Sequence, residues 1–128
     1  MKEPLWLSKS LVFALHERLV AEFGGLAGVR DEGLLESALG KPQHLFAYSK
    51  PSIFDLAASY AFGIVKNHPF LDGNKRTGFT AAAIFLETNG FRLVATELDA
   101  TSTTLGLAAG KLSEGAYAQC LSEQCVKD

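Results

Sequence analysis

Apolar residues recur at helical spacing through most of this chain. Leu11, Leu15 and Leu19 are four apart, and Val12, Val20 and Phe23 broaden the same face, as an amphipathic helix requires. Ser8 is placed to cap that helix and Gly24-Gly25 to end it, which predicts a helix over Lys9–Phe23. Asp31 then caps a shorter helix, Glu32–Leu39, with Leu34, Leu35, Ala38 and Leu39 inward and with Gly40 and Pro42 as its stop. His44–Pro51 is mixed in composition and reads as a loop. A third helix opens at Pro51-Ser52 and runs to about Asn67; Ile53, Leu56, Ala57, Tyr60, Ala61, Ile64 and Val65 cover most of its circumference, so it should be central. Pro69 blocks continuation. A fourth helix starts near Asn74 or Lys75 and ends at Asn89 before Gly90; Gly78, Phe79 and Ala81–Leu86 leave its middle almost without polar surface. Small residues on both central helices would let their backbones approach closely. Phe91–Ala95 reads as a strand or an extended connector, and a lone strand without a partner favours the connector. Helices over Glu97–Ala109 and, after Ser113, Glu114–Gln124 complete the chain. With no repeat, linker or low-complexity segment, the expectation is one all-α domain over residues 1–128. It should be a bundle of about six helices whose central buried pair flanks the loop at 68–77.

Composition narrows the function. A chain of 128 residues is long enough to bury a true core, and 48% apolar with 20% charged residues is an ordinary globular balance. The net charge of −2 gives no global basic field for DNA or RNA, so any phosphate site must come from a local cluster of cations. The start of the chain has no apolar run of signal-peptide type, and the longest apolar stretch, Phe79–Leu86, falls far short of the roughly 20 residues of a membrane span. A cytoplasmic protein without membrane contact is the expectation. Cys120 and Cys125 would point about 140° apart on a helix and read as reduced packing residues.

Chemistry concentrates in His68-Pro69-Phe70-Leu71-Asp72-Gly73-Asn74-Lys75-Arg76-Thr77. Asp72-Gly73-Asn74 is a turn leading into a helix start, where unpaired N–H groups carry about half a positive charge. Acidic residues are favoured there, yet Lys75 and Arg76 occupy the first turn. The arrangement becomes favourable when an anion such as phosphate docks. Gly73 allows close backbone approach, and Asn74 could donate while capping the helix. His68 is a candidate general base, because its ordinary pKa suits proton transfer near neutral pH. Asp72 could hold Mg²⁺ together with substrate phosphates, or serve only as a turn residue. Phe70 should pack beneath the loop. His16 and His44 have no metal-type spacing to His68 or Asp72, which argues against zinc; His16 reads as a packing or hydrogen-bonded histidine. No nucleophile elbow, phosphate loop of the Walker type or dinucleotide fingerprint is present.

The stretch His68-Pro69-Phe70-Leu71-Asp72-Gly73-Asn74-Lys75-Arg76 resembles the signature of the Fic/Doc family, HPFx(D/E)GN(G/K)R. Gly24-Gly25, together with Arg30-Asp31-Glu32-Gly33-Leu34-Leu35-Glu36-Ser37-Ala38-Leu39, resembles the Doc ("death on curing") branch. Lys75 stands where transferase-type Fic proteins have glycine, and Phe79 stands where they have a second arginine. Both changes shrink or re-aim the nucleotide site. The resemblance implies a toxin kinase that transfers the γ-phosphate of ATP to a hydroxyl of a translation factor, elongation factor Tu in the family. By position it implies His68 as base, Asp72 as Mg²⁺ ligand or acceptor guide, and Gly73, Asn74, Lys75 and Arg76 as phosphate binders, with Pro69 and Phe70 shaping the loop. The inhibitory pattern (S/T)xxxE(G/N) of many Fic proteins is missing: Glu32-Gly33 and Glu114-Gly115 are preceded at four residues by Gly28 and Gly110. Control by a separate antitoxin of the Phd type is therefore expected. Two alternatives stay open: a nucleotidyl (AMP) transferase, and a catalytically silent module that only binds an antitoxin.

Overall fold

The computed structural model describes residues 1–128 apart from the side chain of Glu97. Six helices follow one another: α1 (Lys9–Phe23), α2 (Glu32–Tyr48), α3 (Ile53–Asn67), α4 (Asn74–Thr88), α5 (Glu97–Ala108) and α6 (Glu114–Glu123). Two short strands, β1 (Phe91–Leu93) and β2 (Cys125–Lys127), pair antiparallel with Phe91 opposite Lys127 and Leu93 opposite Cys125. The fold is all-α in class, as the periodicity predicts.

The hub is α3, which packs against α2, α4, α5 and α6. Its residues Leu56–Ala61 and Gly63–Val65 are buried, and a Ser52–Asp55 capping box fixes its start. Small residues set the spacing around it. A Cβ on Gly78 of α4 would lie 2.9 Å from Val65 Cγ2 and 3.2 Å from the Ala61 carbonyl oxygen, and one on Gly63 would lie 3.1 Å from Ala38 Cα of α2. Glycine at these two positions is what brings the three backbones together. Tyr60, Phe85 and Trp6 extend the core in a run of ring contacts at 5.1 and 6.0 Å.

The structure corrects three expectations. First, α2 does not stop at Leu39: it continues through Pro42 to Tyr48, so His44–Tyr48 is helical rather than a loop. An interior proline costs about 3 kcal/mol through a lost hydrogen bond and ring crowding. Here the extra two turns carry Leu45 and Phe46 onto the core, bury Pro42 itself and set Phe46 edge-on to Trp6 at 5.7 Å; that burial outweighs the local penalty. Second, Phe91–Leu93 is a strand, because the chain after α6 returns to supply its partner, and Phe91 rests edge-on against Phe54 at 5.1 Å. Third, the inward face of α1 centres on Val12 and His16. Leu11 and Phe23 are 41% and 49% exposed, and Leu15 and Leu19 are only half-buried.

Candidate active site

The loop between α3 and α4 is built by contacts from outside it. His68 closes α3 with φ 53° and ψ 53°, the one non-glycine residue with positive φ among those described. The segment after α1 then pairs with the loop: Val29 bridges Phe70, Leu71 N–H donates to Gly28 O at 3.1 Å, and Arg30 and Asp31 N–H both donate to Pro69 O at 2.7 and 3.0 Å. Arg30 also donates from its side chain, Nε to His68 O at 2.7 Å and Nη2 to Asn67 O at 2.9 Å. From α1, buried His16 stacks on the Phe70 ring at 3.8 Å, and its Nε2 donates to Asp72 O at 2.8 Å. The two stretches that carry the Doc resemblance, residues 24–39 and 68–76, are thus in direct contact.

Asn74 holds the loop from within. Its side chain is 3% exposed; Oδ1 accepts Phe70 N–H at 3.0 Å and Nδ2 donates to Phe70 O at 3.0 Å. Those two bonds fix which way the amide points, so its remaining N–H donates to His68 Nδ1 at 3.1 Å. A neutral His68 in this contact carries its proton on Nε2. Asn74 neither caps α4 with its side chain nor offers its amide to the cavity, contrary to the capping role expected from sequence; what it has left to offer a ligand is its backbone N–H.

The start of α4 differs from every other helix start. Side chains of Ser8, Asp31, Ser52, Thr96 and Ser113 cap the other five helices. The residue before α4 is Gly73, in the left-handed region at φ 74°, with no side-chain cap, and no acidic residue lies in the first turn. Open N–H groups there face a cavity of about 630 Å³. His68, Asp72, Gly73, Asn74, Lys75 and Arg76 line one side, Leu19 and Phe23 of α1 and Phe79 of α4 another, and Thr96, Thr101 and Thr104 of the α5 segment the far wall. Every candidate side chain except Asn74's therefore reaches the same space or shapes it: Pro69 and Phe70 are buried beneath it. Lys75 and Arg76 are exposed, and Arg76 lies flat over the Phe23 ring with Cζ 3.9 Å from its centroid. Among the described residues neither cation makes an ion pair.

The Asp72 carboxylate is held by two backbone donors, Leu26 N–H on Oδ2 at 3.2 Å and Gly73 N–H on Oδ1 at 3.1 Å. Each oxygen keeps a lone pair for a hard cation. Among the described residues no three His, Cys, Asp or Glu side chains gather as a metal cage. One oriented carboxylate beside an uncapped helix start could hold Mg²⁺, which takes few protein ligands and completes its shell with phosphate and water. Sequence reading gave no hint of Phe23, Arg30 or the α5 threonines as part of this site. It placed His16 as a packing or hydrogen-bonded residue, which its stack and its bond to Asp72 bear out.

The chain is 32% identical over 116 residues to "Protein kinase doc" of Escherichia phage P1, an alignment covering 90% of this chain and 91% of that one. It is 44% identical over 77 residues to "Toxin Doc" of Mycolicibacterium smegmatis, covering 57% and 58% respectively. Residues 6–86, which contain α1 to α4 up to Leu86 and the whole motif loop, match the Fic/DOC family, and the chain belongs to that family.

Proposed function

We propose that this chain is a toxin kinase that moves the γ-phosphate of ATP onto a hydroxyl of a translation factor, with elongation factor Tu as the leading candidate, and that an antitoxin of the Phd type restrains it. The observation that carries the reading is the uncapped N-terminus of α4. It joins open N–H groups, Lys75 and Arg76 in a cavity that His68 and Asp72 also line. Phosphoryl transfer needs little from a protein beyond positioning and charge stabilisation, and the cations and open N–H groups of this corner support that reading.

In the proposed step, His68 takes the acceptor's proton. The acceptor oxygen bonds to the γ-phosphorus, the bond from that phosphorus to the β–γ bridging oxygen breaks, and ADP leaves. With Nδ1 facing Asn74, Nε2 is the nitrogen that meets the acceptor. Base action through it requires the other neutral tautomer, so the Asn74 contact is given up during transfer, at a cost of about 1–3 kcal/mol for the buried N–H left without an acceptor. Lys75, Arg76 and the first N–H groups of α4 would hold the phosphates. Asp72 would hold Mg²⁺ against those phosphates; when bound, the ion neutralises their charge. Phe79, on the cavity wall, adds apolar bulk where a second cation would grip a longer phosphate chain, which favours transfer of a small group over AMP.

Incubation with Mg²⁺, purified elongation factor Tu and ATP labelled at either the α or the γ position tests the reading. Label from γ-ATP on the factor, reduced about 10²–10⁴-fold by His68→Ala, is expected. Label from α-ATP would identify nucleotidyl transfer instead. Absence of any label with folded wild-type protein, or growth arrest that survives His68→Ala, would favour a binding module.

A further inference from the structure

Arg30 stands 38 positions before His68, yet its side chain ends on the motif. Nε and Nη2 donate to the carbonyls of His68 and Asn67, at 2.7 and 2.9 Å. These are the last carbonyls of α3, where the negative end of the helix is concentrated. Among the described residues no carboxylate pairs with the guanidinium, so its charge is directed at that helix end. The backbone of Arg30 reinforces the same attachment through Pro69 O. The residue so gripped is the one with an unfavourable backbone: His68 sits at φ 53°, and a left-handed conformation in a residue with a side chain persists only when its surroundings hold it.

We propose that Arg30 is the positioning residue for His68: its guanidinium fork clamps the two terminal carbonyls of α3, holds His68 in the left-handed conformation and thereby aims the imidazole into the cavity. The inference rests on the reading of His68 as the working group of the site. Two neighbouring carbonyls call for two donors in a fixed plane, which arginine provides and the single ammonium of lysine does not. Asn74 steadies the ring from the loop side, and Arg30 steadies the backbone from the helix side.

The test compares Arg30→Ala and Arg30→Lys with wild type in the full chain, using two readouts. The first is the ring resonances of His16, His44 and His68 in protein labelled on histidine, with the His68 signal identified by its loss in His68→Ala. Arg30→Ala should shift or broaden the His68 signal while that of exposed His44 stays put. The second is transfer kinetics: kcat should fall about 10-fold or more, as misaimed catalytic groups do, with KM for ATP little changed. Arg30→Lys should recover part of both, and Arg30→Ala should add nothing further in a His68→Ala background. An unmoved His68 resonance in Arg30→Ala overturns the proposal. So does an Arg30→Lys variant equal to wild type in both readouts, or a loss that persists additively without His68. Where Arg30→Ala fails to fold, the lysine variant decides alone. If wild type transfers no phosphate, the kinase reading fails, and the resonances still decide whether Arg30 positions His68.

Discussion

Replacing Asn74 with alanine distinguishes a residue that holds the loop from one that binds phosphate. Its amide makes three contacts: with Phe70 N–H, Phe70 O and His68 Nδ1, all at 3.0–3.1 Å. Phe70 is fully buried, so alanine would leave both of its backbone groups without a partner. Each such group costs about 1–3 kcal/mol, and water entering the space left by the amide would return part of that. The expected net loss is about 2–4 kcal/mol, a large share of the roughly 5–15 kcal/mol that holds a domain of this kind together. Urea unfolding followed by circular dichroism measures it, with an unchanged m-value confirming that the folded and unfolded states stay comparable. A side chain whose only duty was to grip ligand would leave the empty protein's stability untouched. A change within about 0.5 kcal/mol of wild type would therefore refute the loop-holding role.

Three other substitutions test particular packing and charge arguments. Thr77 Oγ1 is buried with no hydrogen-bond partner, so Thr77→Val should raise the unfolding free energy by about 1 kcal/mol; a loss of that size in the same urea assay would mean the hydroxyl is satisfied after all. Gly78→Ala sets a gain of about 1 kcal/mol in helix propensity against a Cβ 2.9 Å from Val65 Cγ2. Overpacking costs about 1–3 kcal/mol, and net destabilisation with a lower Tm is expected. Burial pushes the Tyr117 hydroxyl from 10.0 up to about 12, against the opposing bond from Thr104. The unfolded chain then sheds that proton first, so stability is intact below pH 10 and falls as pH rises towards 12, at up to about 1.4 kcal/mol per pH unit. Tyr117→Phe should flatten that decline in alkaline unfolding curves, leaving the smaller contribution of Tyr60, which burial also raises.

Most of the fold was legible in the sequence because most of its signals are local. Ser8, Asp31, Ser52 and Ser113 do cap helices, and α1 occupies the range its periodicity marks out. What escaped depends on distant partners. Pro42 carries a strong local stop signal, and only the core seen by Leu45 and Phe46 overrides it. Cys125–Lys127 is too short to show alternation, so β1 looked partnerless. The turning of α1 towards His16 follows from an acceptor, Asp72 O, that lies 56 positions away. At the site, sequence singled out the loop at 68–76, and the structure gathers His68, Asp72, Gly73, Lys75 and Arg76 around one cavity. It could not reveal that Asn74 turns its amide inward, since Asn before a helix reads equally well as a cap, a donor or a loop brace. Nor does any local pattern mark Arg30, whose acceptors are the carbonyls of a helix end folded onto it.

The missing cap on α4 has a thermodynamic consequence. Five helices of this chain complete their first turns with their own Ser, Thr or Asp side chains, while α4 leaves that task undone. An anion that binds there binds only the folded chain, so its concentration enters the folding equilibrium directly: at one hundred times its dissociation constant it adds about 2.7 kcal/mol. On the proposed reading the natural anion is ATP. The melting temperature would then follow nucleotide supply, and the empty protein would open, and meet proteases, more often than the loaded one. On that reading, the same uncapped helix start would couple the lifetime of the protein to the energy state of the cell around it.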